Sequence, residues 1–246
     1  MKTSQKYVLA LFAFLVTLPC FADQSIPLIT SSQSGSNVVY SAPIQVLVLM
    51  TLLTFLPSIF ITMTSFMRTI IVLSLLRQAL GISQTPSNQI LVGIAFFVTL
   101  FVMNPVFQKI NTDAVAPYMN HTITLNQALD KAITPLKHFM LNQTRKKDLN
   151  FFVEMDGVHH LADRGSIPMT VVIPAFMTSE LQTAFQIGFL LFIPFLIIDL
   201  VVSSTLMAMG MMMVSPMVIS TPLKIMLFVM VDGWHLIFQT ITNSFY

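Results

Sequence analysis

The sequence predicts an all-α protein associated with a membrane and built from helical hairpins. Hydrophobic residues make up 55% of the chain and charged residues 9%, against about 45–50% and about 25% in ordinary soluble domains. The apolar residues fall into long uncharged stretches separated by turn residues, and more than half of the charges lie in residues 108–168. A chain of this composition cannot cover a fully solvated surface with polar side chains.

Residues 1–22 have the pattern of a secretory signal peptide. Lys2 and Lys6 precede an apolar core at 7–18, and small residues at 20–22 mark a cleavage site. The apolar core is shorter than the roughly 20 residues that span a bilayer. An uncleaved anchor is the alternative, and a lipid-modified Cys20 is disfavoured by the Leu-Pro before it. Cys20 is the only cysteine, so the mature chain is expected to have no disulfide.

An aperiodic polar segment, residues 23–41, predicts a flexible lead. Residues 42–107 then predict an apolar helical hairpin, with uncharged stretches at 46–65 and 90–107. Between them lie Arg68 and Arg77, in a connection that also holds Gly81 and Pro86. Short loops bearing Arg or Lys tend to remain in the cytoplasm, so we expect a basic turn on that side, in agreement with an exported N-terminus.

Residues 108–168 predict a charged, mostly helical insertion outside the cytoplasm. Long charged segments are translocated largely regardless of their charge. The run at 145–147 is expected to be a solvated face. The adjacent pair His159 and His160 is expected to be solvated too, because neighbouring residues rarely point at one metal ion.

Residues 169–246 predict a second apolar helical hairpin with a methionine-rich loop. The stretch 184–214 is apolar except for Asp199, and as one helix of about 31 residues it would be about 46 Å long at 1.5 Å per residue. Pro194 and Gly210 are places where it can bend. Lys224 and Asp232 interrupt the following apolar stretch. If the four apolar stretches were four simple membrane spans, these charges would lie at unfavourable depths in the bilayer.

Enzymatic and nucleic-acid-binding functions find no support in the sequence. It contains no H-E-x-x-H, G-x-S-x-G, P-loop or glycine-rich dinucleotide motif. Asp199 and Asp232 lack the flanking residues of intramembrane aspartyl proteases. The net charge of +2 gives no basic stripe for nucleic acid. We therefore expect no catalytic residues, no cofactor and no metal.

Four motifs stand in the last third of the chain: Ile173-Pro-Ala-Phe-Met-Thr-Ser-Glu180, Asp199-Leu-Val-Val-Ser-Ser204, Met209-Gly-Met-Met-Met-Val-Ser-Pro216 and Val231-Asp-Gly-Trp234. Together they resemble the FliP/SctR family, the membrane-associated subunits of bacterial flagellar and virulence type III export gates. Residues 68–77 and 103–107 extend the resemblance upstream. The likeness is closer to the flagellar branch than to the virulence branch.

This resemblance implies a subunit of the flagellar export gate, required for flagellum assembly. Such subunits assemble as a homo-pentamer with FliQ and FliR, near FlhB and FlhA, into a cone at the inner membrane and its periplasmic side within the flagellar basal body. Unfolded flagellar proteins would be the substrates, and membrane lipid a further contact. The alternatives are a virulence gate subunit, a small-solute transporter, for which no internal repeat is found, and an assembly factor that does not line the path.

The resemblance also implies roles for individual charged residues. Glu180 and Lys224 are expected to form an ion pair between neighbouring copies, the alternative being that each separately caps a helix or meets water. Asp199 and Asp232 are expected to be buried or interface charges, since an isolated buried charge is very costly.

Methionine supplies 18 of the 246 residues, and six lie within residues 207–217. The unbranched thioether side chain adapts to irregular neighbours. With the resemblance, Met209, Met211, Met212 and Met213 are predicted to form the gate of the pore, a flexible ring that seals against ions and yields to an unfolded chain. The alternative is ordinary core filling. We name residues 209–214 the methionine loop.

Overall fold

The computed structural model describes residues 30–32, 39–41, 44–82, 84–157, 164–211 and 213–245. These residues are predominantly helical, which confirms the predicted all-α membrane class. The helices are α1 (Ile44–Met63), α2 (Phe66–Ala79), α3 (Asn88–Ile110), α4 (Ala116–Met119), α5 (Leu125–Gln143), α6 (Lys146–Met155), α7 (Met169–Ala208), α8 (Pro216–Met230) and α9 (Gly233–Asn243).

The chain divides into two compact units, Met1–Leu56 and Pro57–Tyr246, with the boundary inside α1. The first unit contains a small antiparallel pair of strands, β1 (Thr30–Ser32) and β2 (Val39–Ser41), in which Ser31 lies opposite Tyr40. This differs from the predicted irregular lead. Thr, Val and Tyr favour extended backbone, and they offset the polar, aperiodic composition at these few positions. The predicted signal peptide lies outside the described residues.

Two helix pairs are sharply bent at short breaks. Leu49–Met63 and Phe66–Ala79 meet at 72°, and Pro216–Met230 meets Gly233–Asn243 at 68°. The second break contains Asp232, whose φ of 50° lies in the left-handed region that interrupts a helix. Each bent pair is apolar enough to count as a broken membrane span.

Two further segments are long and apolar enough to cross a membrane without such a break, Asn88–Met119 and Met169–Ala208. The first begins with α3 and continues through a π-helical turn, Asn111–Val115, into α4. The second is α7, whose 40 residues make a helix of about 60 Å at 1.5 Å per residue. By length and composition, the described residues therefore hold between two and four spans.

Helix α7 runs through both Pro174 and Pro194, so Pro194 does not end it. It ends at Gly210, whose φ is 76°. The Gly210 N–H donates to Met207 O at 3.0 Å, and the Met211 N–H donates to Leu206 O at 3.0 Å. This is a Schellman ending, which needs a residue without a Cβ penalty at the left-handed position. Of the two predicted bending points, Gly210 is the one at which the chain turns.

The larger core forms where α2 packs between α3 and α7. Its members on α2 are completely or almost completely buried, among them Val72, Leu73 and Leu76. Helix α2 packs closely on α7 at Gly188, where an added Cβ would lie 2.2 Å from Leu75 Cδ1. Gly188 therefore lets the two backbones come closer than any other residue would allow.

The predicted insertion is helical and packs on the first half of α7. Helix α5 begins with a capping box, in which the Thr124 N–H donates to Gln127 Oε1 at 3.1 Å. Met140 on α5 and Leu149 on α6 are buried against Val172 and Phe176 of α7. This second core joins the charged region to the long apolar helix.

Candidate functional site

The most deeply buried charges are Arg68 and Glu180, whose side chains are 2% and 0% exposed. Arg68 lies in the first turn of α2, and Glu180 lies in the first third of α7. Arg68 Nε donates to Glu180 Oε2 at 2.8 Å, and Nη2 donates to Glu180 Oε1. The fork of the guanidinium thus matches both carboxylate oxygens, the geometry in which Arg pairs most strongly.

The remaining donors of Arg68 reach the end of α9. Nη1 donates to Ser244 O at 2.8 Å and to Ser244 Oγ at 2.9 Å, while Nη2 donates to Gln143 Oε1 at 3.3 Å. The Phe245 ring stacks on the guanidinium, with Cζ 3.8 Å from the ring centroid. We call Arg68, Gln143, Glu180, Ser244 and Phe245 the Arg68 cluster. It ties α2, α5, α7 and the end of α9 together.

A second ion pair joins α7 to α8 near the methionine loop. Lys224 Nζ donates to Asp199 Oδ2 at 2.6 Å and to Ala79 O at 3.2 Å. The Lys224 side chain is 5% exposed, whereas that of Asp199 is 38% exposed. Ala79 is the last residue of α2, so the ammonium group also meets the negative end of that helix.

These two pairs correct the predicted pairing of Glu180 with Lys224. Each has a different partner within its own chain, Arg68 and Asp199 respectively. Since both charges are satisfied inside one subunit, neither needs a neighbouring copy for neutralisation. Within this chain, Glu180, Lys224 and Asp199 each have a partner of opposite charge.

The predicted basic turn is also revised. Arg68 is in a helix and is 1% exposed, because its charge is used in the buried pair. Arg77 does lie at the turn between α2 and α3, where Nη1 donates to Pro86 O at 3.2 Å and to Asn88 Oδ1 at 2.7 Å. Asp232 is exposed in the single chain, so the structure does not bury that charge.

The methionine loop connects the end of α7 to the start of α8. Met209 is 65% exposed, Met211 is 47% exposed and Met213 is fully exposed; Met212 lies outside the described residues. Side chains that filled the core of one subunit would be buried. The three described methionines are therefore free to pack on other molecules.

Within the described residues, no group of three His, Cys, Asp or Glu side chains is placed to hold a metal ion. His159 and His160 lie outside those residues. The described part of the site has an exposed apolar loop and two satisfied ion pairs, an arrangement suited to packing against other molecules.

Sequence reasoning missed Gln143 and Ser244, for which it offered no signal. The Asp199–Lys224 pair did have a signal in the sequence. Asp199 precedes the methionine loop by about as many residues as Lys224 follows it, and an antiparallel helical hairpin brings such positions together.

Comparisons with known proteins agree with the features above. A family model described as FliP family matches residues 49–241, a range that contains both ion pairs and the methionine loop. Flagellar biosynthetic protein FliP of Bacillus subtilis (strain 168) is 50% identical over 220 residues, covering 88% of this chain and 97% of that protein. The protein of the same name from Pectobacterium carotovorum subsp. carotovorum is 47% identical over 243 residues, 99% of this chain and 94% of that protein. The one from Buchnera aphidicola subsp. Baizongia pistaciae is 49% identical over the whole chain and 68% of its own length.

Proposed function

Because the chain belongs to the FliP family, we propose that it is a subunit of the flagellar type III protein export gate. In this function the methionine loop closes the path through which unfolded flagellar proteins leave the cell. The observation that carries the proposal is the exposure of Met209, Met211 and Met213 at the end of an apolar hairpin.

Methionine suits such a seal for a physical reason. An unfolded chain presents every kind of side chain in turn, so the closing surface must fit many shapes. Flexible thioether side chains repack around irregular surfaces at low cost. Gly210 directs the chain into the loop, and exposed residues on both sides of it, Met207 and Met217, extend the same thioether surface.

Assembly with other subunits is part of the proposal. Large apolar side chains are exposed along α3, α7 and α8, among them Phe97, Leu200 and Val229. Exposed apolar patches of this kind mark contacts with protein or membrane. We infer that copies of this chain, most simply five, pack with FliQ and FliR, near FlhB and FlhA, at the inner membrane and its periplasmic side.

The decisive experiment replaces Met211, Met212 and Met213 together by Ala in the full chain, expressed with its partner subunits. Shorter side chains should leave the constriction incompletely closed, so membrane conductance and small-dye entry should rise. The yield of purified complex should stay close to that of the unaltered chain, because the described methionines are exposed.

Met230→Ala is the matched control, since Met230 is 78% exposed and lies at the far end of α8. It should leave conductance unchanged.

Core filling predicts a different result for the triple variant, because the loss of buried Met side chains costs about 2–5 kcal/mol each and would abolish assembly before any leak. A triple variant that assembles well and stays tight would exclude these residues as the gate.

A further inference from the structure

Gly81, in the turn that follows α2 (residues 80–82 and 84–87), lies against the first two turns of α8. A Cβ added to Gly81 would lie 3.0 Å from Thr221 Oγ1 and 3.5 Å from Met217 Cε. Both residues belong to α8, which begins at Pro216, directly after the methionine loop. We call this turn the α2 turn. Its surface meets α8 close to the point where the loop ends.

A second contact lies further along the same face of α8. Lys224 Nζ donates to Ala79 O, the last carbonyl of α2, at 3.2 Å. Met217, Thr221 and Lys224 are spaced at i, i+4 and i+7, so they share one helix face. The end of α2 and its turn therefore contact the first half of α8 through this one face.

The α2 turn is held in shape by its own hydrogen bonds. Gly81 has φ 75°, and its N–H donates to Gln78 O at 3.0 Å, while the Ile82 N–H donates to Arg77 O at 3.4 Å. The Arg77 side chain spans the turn, as described above, by donating to Pro86 O and Asn88 Oδ1. Helix α2 is fixed at its other end by Arg68. The turn is thus a fixed surface against which α8 rests.

We propose that the α2 turn is a support that holds the methionine loop in its closed position, with Gly81 as the positioning residue. The proposal rests on the function assigned above to the loop. The loop is short, so displacement of the first turn of α8 must move the methionines. A Cβ at position 81 would lie 3.0 Å from Thr221 Oγ1, so Thr221 or the turn of α8 that carries it must shift by a few tenths of an ångström, whereas glycine leaves both in place.

The test uses Gly81→Ala and Gly81→Asn in the full chain, expressed with its partner subunits. Asn tolerates positive φ better than Ala, so it introduces the collision with less backbone strain. Both variants should assemble and should raise membrane conductance about tenfold, the change that corresponds to about 1.4 kcal/mol in the balance between closed and open loops.

Gly157→Ala is the matched control for backbone strain. Gly157 has φ 72°, and an added Cβ meets nothing within 4 Å, so this variant should stay tight. Thr221→Ala removes Oγ1, the atom that a Cβ at 81 would approach to 3.0 Å, and the pair Gly81→Ala with Thr221→Ala should recover low conductance. If Gly81→Ala alone fails to accumulate, recovery of yield and tightness in this double variant supports the proposal.

The proposal is wrong if either Gly81 variant assembles and conducts no more than Gly157→Ala, or if the double variant assembles and still leaks. The triple methionine variant, measured in parallel, separates this failure from failure of the gate. If the methionine variant leaks and the Gly81 variants stay tight, only the supporting role of the α2 turn is rejected. Tight membranes in all of them would reject the gate itself.

Discussion

Arg68 connects several distant parts of the chain. It contacts Gln143, Glu180, Ser244 and Phe245, which come from three other parts of the sequence. Arg can serve all of these partners because its planar guanidinium carries five donors and also stacks on aromatic rings. A lysine at this position would neutralise Glu180 but would lose the bidentate pairing and most of the contacts to the end of α9.

Replacement of Glu180 by Gln tests this charge pairing at the residue scale. The amide keeps the shape of the carboxylate but leaves the Arg68 charge buried and unpaired. We expect a loss of about 3–5 kcal/mol of stability, seen as a lower thermal unfolding midpoint in detergent and a reduced yield of complex. Arg77→Gln, at a partly exposed position, should have a smaller effect.

A double replacement, Arg68→Met with Glu180→Met, should recover part of that stability, since well-packed apolar residues often replace a buried pair at little cost. A Glu180→Gln protein as stable as the original would show that Arg68 does not depend on this carboxylate.

At the scale of elements, the packing of α2 on α7 depends on Gly188. Gly188→Ala places a methyl group where Leu75 Cδ1 already lies, and Leu75 Cβ is only 3.2 Å away. Leu75 must move or the helices must separate, so we expect a loss of about 1–3 kcal/mol, measured by thermal unfolding of the purified protein.

Gly93→Ala is the matched helix control, because an added Cβ there meets nothing within 4 Å. It should stabilise by about 0.5–1 kcal/mol through the better helix propensity of Ala. Leu75→Ala combined with Gly188→Ala should recover much of the loss. Equal unfolding midpoints for Gly188→Ala and Gly93→Ala would contradict the close packing.

Most of the helices were predictable, but their partners were not. Apolar stretches predicted helices at 46–65 and 90–107, whereas α2 forms inside the predicted connection between them, and Gly210 was one of two predicted bending points of the long apolar stretch. Glu180 was assigned to Lys224, whereas each has a different partner in the chain. Composition shows that a charge needs a partner, whereas only the packing of α2 between α3 and α7 decides which one is near. Gln143 and Ser244 could not be found because nothing local distinguishes them from other polar residues.

At the scale of the whole molecule, two features decide how the subunit associates with other molecules: its ion pairs are satisfied, and much apolar surface is uncovered. Both ion pairs, the buried Arg68–Glu180 and the partly exposed Asp199–Lys224, are completed within one chain, so assembly does not need to neutralise them. The exposed leucine, phenylalanine and methionine side chains remain for contact with other subunits or lipid. Association is thus expected to depend on apolar packing, with little dependence on salt.

Native mass measurement of the complex purified with its partner subunits tests this expectation. Several copies of this chain per complex, most simply five, should be found, and their number should not change between low and high salt. A complex with one copy would exclude the closing ring, since one methionine loop cannot surround an axis. Dissociation at high salt would instead show that charged contacts hold the subunits together.

The Arg68 cluster also has a consequence for the time course of synthesis. Arg68 and Ser244 are 176 positions apart, and a ribosome adding about 5–20 residues per second needs roughly 9 to 35 s to pass from one to the other. During that interval the arginine has already been made while Ser244 and Phe245 do not yet exist. Every nascent copy therefore passes through a stage in which Arg68 lacks its contacts with Ser244 and Phe245, so the cluster can be completed only after nearly the whole chain has been made.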